Sequence, residues 1–281
     1  MEILKGADVV AAMNTKMKEE LTQFSDNIPH LAIIRVGERP DDLSYERGAK
    51  KRMDTIGLRC STYSYPNTIA ETEFKQEFLA INSNPDIDGI LLLRPLPKHI
   101  DENEIAALID PKKDIDGISP INMAKVFAGN EDGFAPCTAE AVIEMLDYAK
   151  IPLTGKKAVI VGRSLVVGKP LTMLLLKKNC TVTICHTKTM DLPTTCKNAE
   201  LLIACAGQAK VINHSYVGPQ AIVIDVGINL DENGKLCGDV DLESISSAAS
   251  FVTPVPGGVG TVTTSVLAKH VIQAAKKRIN H

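Results

Sequence analysis

Along the first half of the chain, short runs of β-branched and aliphatic residues alternate with longer stretches whose apolar positions recur every three or four residues. Leu31 to Val36, Ser61 to Tyr65 and Gly89 to Leu93 read as strands, with helices at Leu43 to Ile56 and Glu71 to Ile81. A second series starts after Pro152-Leu-Thr-Gly155. Its strands are Ala158 to Val161, Thr181 to Cys185, Leu201 to Ala204, Ala221 to Val226 and Phe251 to Thr253, separated by helical or turn segments. This alternation predicts parallel βαβ units rather than a sandwich, and the second series predicts a doubly wound sheet. After Pro254-Val-Pro-Gly-Gly258 an amphipathic helix is expected from Thr263 to about Ile279, closing on Lys276-Lys277-Arg278, which suits a helix C-terminus. The expected fold class is α/β in two domains. Residues 1–148, completed by the C-terminal helix 264–281, form the first, and residues 149–263 form the second, with the boundary near Lys150.

Composition narrows the function classes. With 281 residues, 44% of them hydrophobic, the chain can bury ordinary cores, and a formal net charge of −3 without a long cationic run argues against a nucleic-acid partner. The segment Met1-Glu-Ile-Leu-Lys-Gly6 does not read as a secretory signal, and no apolar run approaches the roughly 20 residues that span a bilayer. A cytoplasmic protein is expected. The seven cysteines, Cys60, Cys137, Cys180, Cys185, Cys196, Cys205 and Cys237, include no C-x-x-C pair, and the histidines lack ligand spacing, so neither disulfides nor a metal is expected.

Candidate chemistry begins at Val159-Ile-Val-Gly162-Arg163-Ser164-Leu-Val-Val167-Gly168-Lys-Pro170. A buried strand, a tight turn and a helical segment would present backbone N–H groups to a pyrophosphate, although G-x-G-x-x-G itself is absent. In NAD-binding sheets a carboxylate about 20 residues beyond that turn meets the ribose hydroxyls. Here the second strand ends in Cys185-His186-Thr187-Lys188. Arg163, His186 and Thr187 instead offer donors and positive charge to a 2′-phosphate, which favours NADP. Ala206-Gly207-Gln208, after the third strand of this series, is placed to border the cofactor or to be an ordinary strand-end turn.

This turn, together with Pro95-Leu-Pro97, Lys113-Asp-Ile-Asp-Gly117, Pro136-Cys-Thr138 and Pro254-Val-Pro-Gly-Gly-Val-Gly260, resembles the methylenetetrahydrofolate dehydrogenase/cyclohydrolase family along essentially the whole chain. The resemblance implies an N-terminal α/β folate-binding domain, a Rossmann-like NADP-binding domain, a cleft between them and a homodimer. It implies oxidation of 5,10-methylenetetrahydrofolate, with a polyglutamylated form as a candidate substrate, in the one-carbon metabolism that supplies purine biosynthesis. Tyr45 matches the family tyrosine that lies against the substrate, and Asp116 the aspartate that accepts hydrogen bonds from the pterin. Pro254, Gly257 and Gly258 match the loop that approaches both reactants. Gly162, Arg163, Ser164, Val167, Gly168, His186, Thr187, Ala206, Gly207 and Ile228 are the expected cofactor contacts. The spacing of Asp110, Asp114 and Asp116 also suggests a calcium loop, but its closing glutamate is missing. An unrelated shikimate-type dehydrogenase would share the dinucleotide half without explaining Asp114-Ile-Asp116-Gly117 or the Pro254 loop.

Four positions depart from the family pattern. Where the family has Pro-Met-Thr after the last glycine, this chain reads Thr261-Val262-Thr263. Family bifunctional members carry Tyr-x-x-x-Lys, the lysine being central to cyclohydrolase chemistry, whereas this chain reads Tyr45-Glu-Arg-Gly-Ala49. The family glutamine that touches the lysine is Leu93. Loss of both partners is coherent, because a polar residue left without its partner would be buried unsatisfied. A dehydrogenase with weak or absent cyclohydrolase activity is expected. The alternatives are a bifunctional enzyme in which Lys50, Lys51 or Arg94 substitutes for the lysine, and a non-catalytic NADP or folate sensor.

Overall fold

The computed structural model of the chain describes residues 1–24 and 27–279. In chain order its elements are β1 (Glu2–Ile3), α1 (Gly6–Leu21), β2 (His30–Val36), α2 (Pro40–Ile56), β3 (Arg59–Tyr65), α3 (Glu71–Ser83), β4 (Gly89–Leu92), α4 (Glu102–Leu108) and α5 (Pro120–Ala128). They continue with α6 (Cys137–Tyr148), β5 (Lys157–Val161), α7 (Gly168–Lys177), β6 (Thr181–Cys185), α8 (Leu192–Lys197), β7 (Leu201–Ala204) and β8 (Ala221–Asp225). The last are β9 (Asn229–Leu230), β10 (Leu236–Cys237), β11 (Ala249–Val252) and α9 (Val259–Ile279). Each strand and helix expected from the pattern is present, with ends shifted by a few residues at most. The largest shifts are at helix starts. Pro40 with Asp41 and Asp42 opens α2 three residues before Leu43, as proline and acids in a first turn favour.

The chain forms two compact units, Met1–Ala12 with Thr138–Thr263, and Met13–Cys137 with the chain from Thr264 onward. The division therefore falls at Cys137 and Thr138 and not near Lys150, and the first twelve residues leave the expected N-terminal domain. The reason is a strand pair of long range. β1 lies parallel to β11, with Glu2 opposite Phe251, while the Leu4 N–H donates to the Val252 carbonyl at 2.9 Å and the Gly6 N–H to that of Gly257 at 2.8 Å. Residues of α6 join the same unit, where Asp147 pairs with Lys178 of the segment after α7 at 2.7 Å.

In this unit six parallel strands run in the order β1-β11-β8-β7-β5-β6. β7 and β8 are buried at every residue, as the central strands of a parallel sheet must be. In the other unit β2, also wholly buried, is the middle of the three-stranded parallel sheet β3-β2-β4. One face of it carries Ala32, Ile34, Ile90 and Leu92 into a core with Phe74 and Phe78 of α3. The C-terminal helix belongs to this unit from Thr264, as expected for a helix returning to the first domain. The His270 ring meets the Ile115 carbonyl at 2.7 Å, Lys276 pairs with Glu20 at 2.9 Å and Arg278 with Asp88 at 2.6 Å. That helix starts at Val259, four residues before the expected Thr263, so Gly260 lies in its first turn; Asn280 and His281 fall outside the described residues.

Candidate active site

β5 pairs with β6 on one side and with β7 on the other, so the chain direction across the sheet reverses at β5. Ligands of open α/β sheets bind outside the carboxyl ends of the strands at such a point. Gly162 follows β5 there, and Cys205 follows β7. A Cβ on Gly162, whose φ is +136°, would overlap the Cys205 carbonyl oxygen and lie 2.7 Å from its Sγ, and a Cβ on Gly168 would overlap the Gly162 carbonyl oxygen. Two glycines thus keep open a cradle that side chains would fill. The exposed turn Arg163–Val166 crosses it. Ser164 Oγ accepts the Val167 N–H at 3.1 Å and the Ser164 carbonyl accepts that of Lys169 at 3.0 Å, which aims the start of α7 at the cradle. The Gly162 N–H donates to the Cys185 carbonyl at 2.9 Å, so His186 and Thr187 lie beside this turn. His186 Nδ1 accepts the Lys188 N–H at 3.1 Å, and a neutral ring in that arrangement presents its N–H at Nε2.

The loops around the cradle are tied by two buried aspartates that the sequence reading did not single out. Asp239 accepts the backbone N–H groups of Ala206 (2.6 Å), Gly207 (3.1 Å) and Gln208 (2.9 Å) and the Asn229 side-chain amide (2.9 Å). Asp225, the last residue of β8, accepts those of Gly227 (2.9 Å), Asp239 (3.0 Å) and Val240 (2.9 Å). The strand-end turn 206–208 is thereby held at the cradle by carboxylate bonds. Next to Asp225 lies a cavity of about 250 Å³ bordered by Gly227, Ile228, Pro254, Gly257 and Gly258. Ile228 is exposed beside it. The Gly6 N–H donates to the Gly257 carbonyl, and a Cβ on Gly6 would overlap the Gly258 carbonyl oxygen. Thr261, where the family has proline, donates its N–H to the Gly258 carbonyl at 3.0 Å. Proline could not make that bond.

Burial pushes the Asp225 carboxyl up to about 6, against the pull of its three backbone N–H donors. Because the folded value lies above the unfolded one, this group favours the fold below about pH 4 and loses that contribution as pH rises through about 6. Wild-type stability is expected to fall by about 2 kcal/mol between pH 4.5 and 7.5 relative to Asp225→Asn, which cannot titrate. Urea unfolding of both proteins at pH 4.5 and 7.5 measures it. A difference that did not change with pH would mean that the three amides keep the carboxylate ionised throughout.

In the other unit, Tyr45 and Ala49 lie one turn apart on α2, Tyr45 half-buried and Ala49 fully buried. Leu93, just past β4, is buried, and its N–H donates to the Ile34 carbonyl at 2.9 Å. Asp114 and Asp116 have different jobs. The wholly buried Asp114 carboxylate accepts from the Ile118 and Ser119 N–H groups and the Asn122 amide, and so shapes the loop. Asp116 accepts the Cys137 N–H at 3.0 Å. Burial pushes the Asp116 carboxyl up, while the Cys137 bonds and the nearby Arg94 draw it back. Lys50 donates to Glu46 at 2.7 Å, Arg94 to Glu102 at 3.2 Å, and Lys51 is exposed.

Among the described residues no group of three or more His, Cys, Asp or Glu could hold a metal ion, and no helix is long and apolar enough to cross a membrane. Residues 4–116 match the model of the tetrahydrofolate dehydrogenase/cyclohydrolase catalytic domain, and residues 136–279 that of the family's NAD(P)-binding domain. The bifunctional protein FolD of Clostridium kluyveri is 50% identical over 278 residues, 98% of either chain. The bifunctional methylenetetrahydrofolate dehydrogenase/cyclohydrolase of Campylobacter jejuni superposes with a TM-score of 0.96 at 38% identity, covering 99% of each chain. The Trypanosoma brucei enzyme, solved with NADP cofactor and an inhibitor, gives 0.92 at 29% identity, covering 99% of this chain and 98% of its own. With both domain models matched in order and whole-length relatives at half identity, the chain belongs to the tetrahydrofolate dehydrogenase/cyclohydrolase family.

Proposed function

We propose that this chain is an NADP-dependent methylenetetrahydrofolate dehydrogenase that releases 5,10-methenyltetrahydrofolate and accelerates its hydrolysis little or not at all. NADP, when bound, accepts the hydride. The C–H bond of the folate methylene bridge breaks with its electron pair leaving, and the flanking nitrogens share the charge of the resulting cation. No side chain needs to take a proton in that step, so the protein's task is to bind, orient and shield. The glycine cradle and the start of α7 fit a pyrophosphate, and Arg163, His186 and Thr187 fit a 2′-phosphate. Tyr45 and Asp116 are assigned to the folate, Asp116 as acceptor for pterin N–H groups. Pro254, Gly257 and Gly258 are assigned to the close approach of both reactants.

Hydrolysis differs because water must be deprotonated as it attacks the methenyl carbon, and a group able to exchange that proton must stand near. The observation that carries the proposed loss is the fate of the substitutes. Ala49 and Leu93 cannot titrate, Lys50 and Arg94 are engaged by carboxylates, and Lys51 is exposed. Incubation with 5,10-methylenetetrahydrofolate and NADP is expected to yield methenyl product one for one with NADPH, apart from background decay. Methenyl disappearing faster than a no-enzyme control would show an active cyclohydrolase and sink this reading. In the same assay Arg163→Ala should raise KM for NADP about tenfold while leaving that for NAD nearly unchanged. Turnover itself would exclude a mere sensor.

The enzyme is proposed to act as a homodimer in the cytoplasm. β6 is the edge of a parallel sheet, yet Ile184 on it and Leu176 and Met190 near it are exposed, an apolar edge of the kind a second copy covers. Light scattering is expected to give twice the chain mass, and a monomer at micromolar concentration would refute it. The thiols of Cys60, Cys180, Cys185, Cys196, Cys205 and Cys237 suit a reducing compartment.

A further inference from the structure

Ala49 is fully buried on the inner face of α2, four residues after Tyr45 and three after Glu46. At roughly 100° per residue it lies about 40° from Tyr45 and about 60° from Glu46 around the helix. A longer side chain at this position would therefore grow between those two. That space already holds charge. Arg35 of β2 donates from Nε to Glu46 Oε2 at 2.9 Å and from its guanidinium to the Gly37 carbonyl, and Lys50 donates to Glu46 Oε1 at 2.7 Å. The Arg35 and Glu46 side chains are only 10% and 9% exposed. Burial pushes the Glu46 carboxyl up, but the bonds from Lys50 and Arg35 outweigh it and leave it below its usual range. Since Ile34 and Leu92 point into the core behind the sheet, strand alternation places Arg35 and Leu93 together on the opposite face.

We propose that Arg35, Glu46 and Lys50 are specificity-determining residues: a buried ion cluster that closes the place of the family lysine and so keeps the enzyme a dehydrogenase. The inference rests on the weak-cyclohydrolase reading and deepens it. A lysine restored at position 49 would enter beside the fixed Arg35 cation and compete with Lys50 for Glu46. Paired with Glu46, whose carboxylate would favour its charged form, it would stay an ammonium unable to accept a proton. Replacing Ala49 and Leu93 alone therefore leaves the cluster in control.

Three full-length proteins test this beside the wild type: Ala49→Lys/Leu93→Gln, Arg35→Leu/Glu46→Leu, and all four changes combined. Decay of 5,10-methenyltetrahydrofolate above the buffer blank is followed from pH 6 to 9, and the NADP-linked dehydrogenase rate of each sample reports an intact fold. Removing both members of a buried ion pair for apolar residues is commonly tolerated, whereas removing one is not. If the leucine pair nevertheless reduces the dehydrogenase rate, Arg35→Gln/Glu46→Gln replaces it. The two-site protein is expected within about twofold of wild type. The four-site protein should exceed it at least about tenfold, with a rate that rises through one ionisation as an amine loses its proton. Equal hydrolysis by the two-site and four-site proteins, or no gain in the four-site protein, overturns the cluster's role. Hydrolysis by the wild type itself overturns the weak-cyclohydrolase reading instead, so the two failures are distinguishable.

Discussion

Gly162→Ala is expected to lower kcat/KM for NADP at least about a hundredfold and to destabilise the fold by about 3–5 kcal/mol. Two effects add. The backbone there has φ +136°, a conformation that side-chain-bearing residues rarely adopt, and the new methyl would overlap the Cys205 carbonyl oxygen and stand 2.8 Å from its carbon. Neither partner can step aside cheaply. The Gly162 N–H is bound to Cys185 and the Cys205 N–H to the Val161 carbonyl at 2.9 Å, so any retreat breaks a ladder bond of the central sheet. Gly207→Ala makes the comparison sharp. Gly207 also has a positive φ, +66°, but nothing lies within 4 Å of its would-be Cβ, so that change should cost only about 1 kcal/mol. Thermal unfolding and NADP kinetics on the pair decide the matter. If the two variants behaved alike, the close approach of β5 and β7 would not be what shapes the cradle.

The same contrast explains what the sequence could and could not disclose. β6 and β7 were legible to the residue because each is a compact apolar or β-branched run with turn residues at both ends. β1 was not, because two residues have no periodicity and pair only with β11, some 250 positions away. That one pairing moved the first twelve residues into the other unit. The start of α9 was placed late because Gly257, Gly258 and Gly260 read as loop, yet only Gly257 among them has a positive φ, and Gly260 is helical. In the site, the glycines and Arg163, His186 and Thr187 could be found from local order along the chain. Arg35 and Glu46 could not, since a charged residue in a strand and another in a helix show their pairing only when α2 folds over β2. Asp225 carried a partial signal, an acid closing the apolar run Ala221–Ile224, but its partners at Asp239 and Val240 are supplied by a distant turn.

Asp239 is where the loss of a single carboxylate should do most harm. It is fully buried, and its two oxygens divide four donors evenly, Oδ2 taking Ala206 and Gly207 while Oδ1 takes Gln208 and Asn229. Asp239→Ala strands all four donors and is expected to cost about 3–5 kcal/mol. The isosteric Asp239→Asn offers little relief. Whichever way its amide turns, an NH₂ group faces two donors, so two bonds are lost and hydrogens oppose one another. At Asp225 the donors are divided two and one, and Asp225→Asn can keep its oxygen toward Gly227 and Asp239, losing only the bond from Val240. The expected order of stability is therefore wild type, then Asp225→Asn, then Asp239→Asn, then Asp239→Ala. Because Asp239 holds the turn 206–208 at the cradle, both of its variants should also raise KM for NADP about tenfold or more, and added NADP should recover part of the lost melting temperature by mass action. Denaturant unfolding and NADP titrations on the three variants measure both quantities. If Asp239→Asn proved as stable as Asp225→Asn with an unchanged KM, the carboxylate would be a passive filler, and the turn would owe its position to β7 alone.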